Sequence, residues 1–188
     1  MTNSSQIIEQ TQCWISNFII KHNICPFAKR EFDKGDKGGI HYEVVINDKL
    51  ENQLQELIYS CEQLDRETDI DDGLETSLLI LPNGLADFDD YLDFLDLANE
   101  LMHQQGYEGV YQLASFHPDY CFDGIDADDA SNYTNRSPYP MVHLIREASL
   151  EKVLTHYPNP ENIPTRNIKY TREMGQESLL LLLQACKK

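Results

Sequence analysis

The chain has 188 residues, 41% of them hydrophobic and 25% charged, which is typical of a folded globular domain and not of a disordered chain. Its formal net charge of -17 makes nucleic acid and anionic membrane surfaces poor partners, because both repel an acidic surface. The excess acid lies in residues 61–130, which contain 19 Asp and Glu and a single basic residue, Arg66.

The sequence gives no sign of export or membrane insertion. Its longest leucine run, residues 179–183, is far shorter than the ~18 residues that span a bilayer. Residues 1–10 include an acid and lack the basic start of a secretory signal. The five cysteines are scattered and form no C-x-x-C pair, which indicates reduced thiols. We therefore expect a cytoplasmic protein; its oligomeric state is left open.

Helical and strand patterns alternate along the first half of the chain. Apolar spacing predicts a helix over residues 5–22, and Pro26 then predicts a turn, followed by an exposed loop over residues 29–39. The segment HYEVVI (41–46) predicts a strand. An apparent capping box at Asp48 predicts the start of the next helix, which extends to about residue 64. Residues 67–73 read as an acidic loop.

The second half continues this alternation and ends in helices. The apolar run TSLLIL (76–81) predicts a buried strand, and Asp87 and Gly106 bound the helix that follows it. Residues 109–117 and 141–147 predict two more strands. Ser149 then caps a short helix, further helices begin near residues 160 and 164, and Gly175 divides the last helical segment.

The order of these elements predicts an α/β (or α+β) fold in a single domain, residues 1–188. Its core is a central mixed sheet of about four strands, with strand-helix alternation and a helical C-terminal segment. The crossovers are long enough for parallel pairing of at least some strands.

Groups able to move protons, bind metal or hold anions concentrate in residues 110–147. His117 and Asp119 follow one predicted strand, and His143 lies on the next. Two histidines and one carboxylate are the ligand set of many non-haem iron sites, so His117, Asp119 and His143 are candidate ligands for a divalent metal. The alternative is that these histidines form hydrogen bonds with buried backbone groups.

The same window contains candidate substrate-binding groups. Arg136 and Arg146 each present a planar guanidinium that suits a carboxylate or phosphate, and Asn135 and Tyr139 flank the first of them. The alternative is that the arginines neutralise Asp126, Asp128 or Asp129.

Cys25 is a candidate nucleophile outside this window. It precedes Pro26, where a short helical turn would direct backbone N–H groups at the thiol, lower its pKa and favour the thiolate. The alternative is an ordinary buried cysteine between Ile24 and Phe27.

Four motifs resemble a family of uncharacterised bacterial proteins, catalogued as domain of unknown function 1415. They are ICPFA (24–28), YQLASFHPDY (111–120), NRSPYP (135–140) and HLIRE (143–147). The resemblance spans nearly the whole chain. It implies no activity, cofactor or catalytic residue, so the site residues named above depend on their chemistry alone.

Two hypotheses of function follow. The first is an enzyme acting on a small anionic metabolite, in which Arg136 and Arg146 orient the substrate and His117 or His143 transfers a proton. Cys25 or a metal-bound water would be its nucleophile. This hypothesis requires the two imidazoles and the Arg136 guanidinium to open onto one pocket. The second is a non-catalytic binding or scaffold protein whose acidic face docks a basic protein partner.

Overall fold

The computed structural model describes residues 3–35, 39–67 and 73–188. Its main elements in chain order are α1 (Ser4–Trp14), α2 (Ala28–Phe32), β1 (Gly39–Val44), α3 (Leu50–Arg66), β2 (Leu74–Ile80), α4 (Phe88–Gln104), β3 (Tyr111–Phe116), β4 (Met141–Arg146), α5 (Glu147–His156), α6 (Ile163–Met174) and α7 (Gln176–Ala185). A π-helical turn, Ile15–Ile20, extends α1, and 3-10 turns cover Ala130–Thr134 and Pro160–Asn162. The predicted α/β fold with a helical C-terminal segment is confirmed.

In the described residues, four strands form one mixed sheet in the order β1-β2-β4-β3. β1 and β2 run parallel, with α3 as the crossover between them, as the sequence predicted. β4 runs antiparallel to both β2 and β3. This order places β2 and β4 at the centre of the sheet and leaves β1 and β3 as its edges.

The two faces of the sheet pack against different helices, because successive side chains of a strand point in opposite directions. Leu79 and Leu144 belong to a core with α3 and α4, on what we call the α3/α4 face. Leu78 and Met141 belong to a core with α1, the π-helical turn and α7, on the α1/α7 face. A residue's position along a strand therefore decides which set of helices it meets.

The N-terminal helix is confirmed, although its last turn is π-helical and ends at Ile20. The loop predicted over residues 29–39 is wrong in its first part, which forms the short helix α2. α2 packs closely on the start of β1: a Cβ on Gly39 would lie 2.3 Å from the carbonyl oxygen of Glu31. Gly39 also has a φ of +88°, so both its conformation and its surroundings require glycine.

Three predicted helix starts have different outcomes. Asp87 caps α4 as predicted, accepting hydrogen bonds from the N–H groups of the second and third residues after it. The capping box at Asp48 is wrong, because α3 begins after Lys49 without a side-chain cap, and Asn47 accepts the Lys49 N–H instead. Ser149 does not cap α5 either: β4 leads directly into that helix at Glu147.

Gly175, with a φ of +79°, separates α6 from α7 as predicted. Most of the predicted acidic loop, residues 68–72, lies outside the described residues. Across the ranges that are described, no helix is both long enough and apolar enough to cross a membrane.

Candidate functional site

The two predicted site histidines, His117 and His143, lie on opposite faces of the sheet. His117 follows β3, and its ring centroid is 5.2 Å from that of Phe88 and 5.1 Å from that of Tyr91, both in α4. His143 lies between two β4 residues of the α3/α4 core, so its side chain points to the α1/α7 face, where its ring is 6.4 Å from that of Phe116. The sheet separates the imidazoles, and the predicted shared pocket is not formed.

His117 braces the backbone, which is the alternative the sequence left open. Its Nε2 donates to the carbonyl oxygen of Leu85 at 3.0 Å, and its Nδ1 accepts the backbone N–H of Asp119 at 3.0 Å. Both ring nitrogens are therefore in use, and this pattern requires the neutral ring with its proton on Nε2. Burial lowers the pKa of His117, which also favours the neutral form. The side chain of Asp119 is exposed.

His143 is half-buried and forms a hydrogen bond of 2.6 Å between Nε2 and the hydroxyl oxygen of Thr76. Burial lowers the pKa of His143 to about 4, so its ring is neutral at pH 7. The metal site predicted at His117, Asp119 and His143 is not formed. Within the described residues, no three His, Cys, Asp or Glu side chains are grouped as metal ligands.

The two predicted anion-binding arginines lie toward opposite ends of β4. Arg146 is its last residue, and Nη2 donates to the carbonyl oxygen of Leu64 at 2.8 Å. Arg136 precedes the strand and donates to the carbonyl oxygens of Tyr120 and Ala127 at 3.1 and 2.8 Å. Six strand residues span about 17 Å, so the two guanidinium groups do not clamp one small ligand.

The alternative role of Arg136, the neutralisation of nearby aspartates, is also not observed. Among the described residues, Arg136 forms no salt bridge, and its guanidinium lies 4.7 Å from the ring centroid of Tyr133. Asp129 pairs instead with Arg172 of α6, at 2.8 Å between Nη2 and Oδ2. The hydrogen bonds from Arg172 hold the pKa of Asp129 far below its usual range.

The other two predicted substrate-binding residues also bind within the chain. Asn135 Nδ2 donates to the carbonyl oxygen of Ser115 at 3.0 Å. The hydroxyl of Tyr139 donates to Oε1 of Gln10 in α1. Asn135 and Tyr139 therefore fasten the segment between β3 and β4 to the sheet and to α1.

Asn132 forms the central hydrogen bonds of that segment, although no sequence pattern singled it out. It is fully buried, and its Oδ1 accepts the backbone N–H of Phe122 at 3.1 Å. Its Nδ2 donates to the carbonyl oxygens of Asp126 and Ala127 at 2.9 and 3.3 Å. The polar residues of this segment therefore stabilise the irregular connection between β3 and β4.

Cys25 does not have the lowered pKa predicted for a nucleophile. The backbone N–H groups of Phe27 and Ala28 do approach its sulfur, as predicted, and favour the thiolate. Burial opposes them and is the larger effect, so the pKa of Cys25 is raised above its ordinary value. Cys25 is therefore a protonated thiol near neutral pH.

A cleft of about 230 Å³ opens elsewhere, between the edge strand β1 and helix α3. β1 contributes His41 and Glu43, which are two residues apart and so share a face. α3 contributes Glu56 and Ser60, which are one helical turn apart. The other lining residues are Tyr59, Glu62, Gln63 and Arg66.

Two of the charged groups in this cleft have partners. Arg66 donates to the Glu62 carboxylate at 3.2 Å. The Nδ1 of His41 lies 3.1 Å from the hydroxyl oxygen of Ser77, and its Nε2 lies 3.9 Å from the Glu43 carboxylate. The imidazole therefore lies between a buried hydroxyl and an acid.

Two further polar groups in the cleft lack partners among the described residues. Glu56 forms no hydrogen bond or salt bridge there, and partial burial and the charge of Glu43 raise its pKa. The hydroxyl of Ser60, a residue only 2% exposed, has no hydrogen-bond partner. A buried polar atom without a partner destabilises a fold by about 1–3 kcal/mol. The cleft thus combines two carboxylates in mutual repulsion with an unsatisfied hydroxyl.

Sequence patterns contained part of this arrangement. Alternation in HYEVVI placed His41 and Glu43 on one face, and helical spacing aligned Glu56 with Ser60. The pairing of that strand face with that helix face depends on the sheet order, which no local pattern determines.

A second cleft, of about 290 Å³, lies between α2 and α5 and is basic. Arg30, Lys152 and His156 line it, together with the rings of Phe27 and Tyr157, whose centroids are 5.4 Å apart. Nε of Arg30 also lies 3.4 Å from Oε1 of Glu31, and this carboxylate offsets part of the positive charge of Arg30. In a chain this acidic, three basic side chains at one cleft are unusual.

Comparison with known proteins identified one family. Its model, described as a protein of unknown function (DUF1415), matches residues 6–180 and so covers most of the chain. This confirms the family resemblance drawn from the four motifs. No curated protein and no solved structure matched the chain.

Proposed function

The chain belongs to the DUF1415 family of proteins of unknown function, and from its geometry we propose that it is a binding protein for a primary ammonium group, held in the cleft between β1 and α3. One observation supports this most directly: the Glu56 carboxylate has no partner among the described residues, although it lies close enough to Glu43 for that charge to raise its pKa, and it lines the cleft with the unpartnered hydroxyl of Ser60.

The chemistry of an ammonium group matches these three residues. An ammonium has three N–H donors and no acceptor, and the cleft offers the carboxylates of Glu43 and Glu56 and the hydroxyl oxygen of Ser60 as acceptors. A bound cation removes the repulsion between the carboxylates and provides the missing partner of the hydroxyl. An anion in the same place would be repelled by both acids.

The ammonium group has two possible sources, a small amine or a lysine side chain of a basic protein. The acidic surface supports the second, because α4 exposes acidic residues along its outer side, among them Asp89, Asp93, Asp96 and Glu100. Such a surface attracts a basic partner over a distance and speeds its association. This proposal develops the predicted docking of a basic partner and gives it a specific contact point.

Isothermal titration calorimetry with 1,4-diaminobutane and with a lysine-rich peptide tests the proposal. Glu43→Gln and Glu56→Gln are each expected to weaken binding about 10–100-fold, since a hydrogen bond to a charged group contributes about 1.5–3 kcal/mol. Binding should also weaken with added salt and with falling pH, because protonation of Glu56 removes its attraction for a cation.

Glu51→Gln is the matched control, since Glu51 lies in the same helix, is exposed and is outside the cleft. It should bind like wild type. Binding of the peptide without binding of the diamine would identify a protein partner as the source of the ammonium. If neither probe binds, or if wild type and Glu56→Gln bind equally well, the proposal is refuted.

A second candidate retains the predicted enzyme acting on a small anionic metabolite and moves its site to the basic cleft. The observation in its favour is the grouping of Arg30, Lys152 and His156 there. Arginine and lysine would hold the anion, and histidine is the side chain suited to proton transfer near neutral pH.

Titration of wild type with inorganic phosphate tests this candidate. We expect Lys152→Ala to weaken phosphate binding about 10-fold, and Lys169→Ala, which removes an exposed lysine of α6, to leave it unchanged. If phosphate does not bind wild type, or binds both variants equally, the basic cleft is not an anion site.

A further inference from the structure

Two of the five cysteines are neighbours in the fold. Cys186, just beyond the end of α7, is close enough to Cys13, in α1, for the two thiols to influence each other. Both residues pack in the core on the α1/α7 face. No local sequence pattern pairs them, because they lie near opposite ends of the chain.

The surrounding contacts hold the two segments together. Nε2 of Gln10, one helical turn before Cys13, donates to the carbonyl oxygen of Lys187 at 2.8 Å. The Lys187 ammonium lies 5.1 Å from the ring centroid of Tyr139, whose hydroxyl donates to Gln10 in turn. The residues near both cysteines are thus fixed by independent contacts, which hold the segment around Cys13 beside the segment around Cys186.

The two thiols differ in their access to solvent. Cys13 is half-buried, and its sulfur accepts a hydrogen bond from the exposed side chain of Asn17 at 3.2 Å. Cys186 is only 4% exposed. Burial and the neighbouring Cys13 raise the pKa of Cys186 to about 12, so Cys186 is a thiol near neutral pH.

We propose that Cys13 and Cys186 are an oxidation site that forms an intramolecular disulfide in response to a peroxide. The Cys13 sulfur attacks the peroxide, whose O–O bond breaks, giving Cys13 sulfenic acid and releasing water or an alcohol. The Cys186 sulfur then attacks the sulfenic sulfur. The S–S bond forms, and the sulfenic hydroxyl leaves with the Cys186 proton as water. Two thiols are oxidised and one peroxide is reduced.

The other three cysteines have no such partner in the described chain. Cys61 is fully buried beside the sulfur of Met102, at 3.5 Å. Cys121 donates to the carbonyl oxygen of Ile125 at 3.2 Å, and Cys25 is the buried thiol described above. The proposed oxidation site is independent of the cleft between β1 and α3 that is proposed to bind ammonium, because that cleft lies on the α3/α4 face of the sheet and the two cysteines lie on the α1/α7 face.

Hydrogen peroxide treatment of the full chain, followed by alkylation and peptide mass spectrometry, tests the proposal. We expect a mass loss of about 2 Da and a peptide containing Cys13 linked to one containing Cys186, at least about 10-fold more abundant than any other linked pair. Dithiothreitol should reverse both changes. Cys13→Ser and Cys186→Ser should each abolish the link, and Cys121→Ser should retain it.

The measurement on the wild-type chain does not depend on how the variants fold. Recovery of Cys186 as an alkylated free thiol while Cys13 accumulates sulfinic acid would overturn the proposal. So would disulfide-linked dimers through Cys13 as the main product, because these would show that the two thiols do not reach each other within one molecule.

Discussion

Replacement of His117 with alanine is expected to destabilise the protein by about 3–5 kcal/mol, the range for truncating a large buried side chain. The imidazole is 1% exposed and packs between two rings of α4. Its loss also leaves the Leu85 carbonyl and the Asp119 N–H without their partner. Urea denaturation at pH 7, followed by circular dichroism, measures the change.

His103→Ala is the matched control. His103 is an exposed histidine at the end of α4, and its loss should change stability by no more than about 0.5 kcal/mol. If His117→Ala were as stable as wild type, the contacts of this ring would not stabilise the fold. A functional role would then be the remaining explanation for His117.

His117 shows which features of the structure the sequence predicts and which it does not. Its position after β3 followed from the apolar run before it, and the strand itself was predicted correctly. Whether a histidine there is a catalyst or a brace depends on its neighbours, and those come from distant parts of the chain. Leu85 and Tyr91 precede it by more than twenty residues, and no local pattern brings them to its ring.

Periodicity predicted the fold better than the candidate site for a physical reason. Burial of apolar side chains fixes helices and strands through short repeats, which are visible in any window of ten to fifteen residues. Local hydrogen bonding then decided the helix starts: Asp87 caps α4 as predicted, whereas α3 begins without the predicted cap from Asp48, and Asn47 accepts the Lys49 N–H instead. A site depends on which strands are neighbours, and that order is a property of the whole sheet.

Side-chain direction explains why the predicted window does not form one site. β3 and β4 are neighbours, as a shared site would require, but His117 and His143 meet different cores because they point to different faces. The cleft between β1 and α3 forms because β1 is an edge strand whose polar side chains, His41 and Glu43, are only partly covered by the helix. These polar side chains line a cleft at the edge of the sheet, away from the window that the sequence predicted.

The second large expected effect is a loss of stability at acidic pH, caused by His143. In the folded protein the pKa of His143 is about 4, compared with about 6.5 in an unfolded chain. Between these values the unfolded chain takes up a proton that the folded protein excludes, so the free energy of unfolding falls as the pH falls from 6.5 to 4. We expect this group to remove about 2–3 kcal/mol of stability across that window, after allowance for its partial exposure.

His143→Gln isolates this contribution, because glutamine is neutral at every pH in the window and its amide is able to donate to the Thr76 hydroxyl. Urea denaturation of both proteins at several pH values from 7.5 to 4 gives the difference. Protonation of carboxylates changes both curves alike, so their separation reports His143 alone. The variant should lose less stability on acidification than wild type, and the two curves should run parallel above pH 6.5. Parallel curves down to pH 4 would show that His143 accepts a proton in the folded state as readily as in the unfolded chain, and that the α1/α7 face does not exclude charge from its ring.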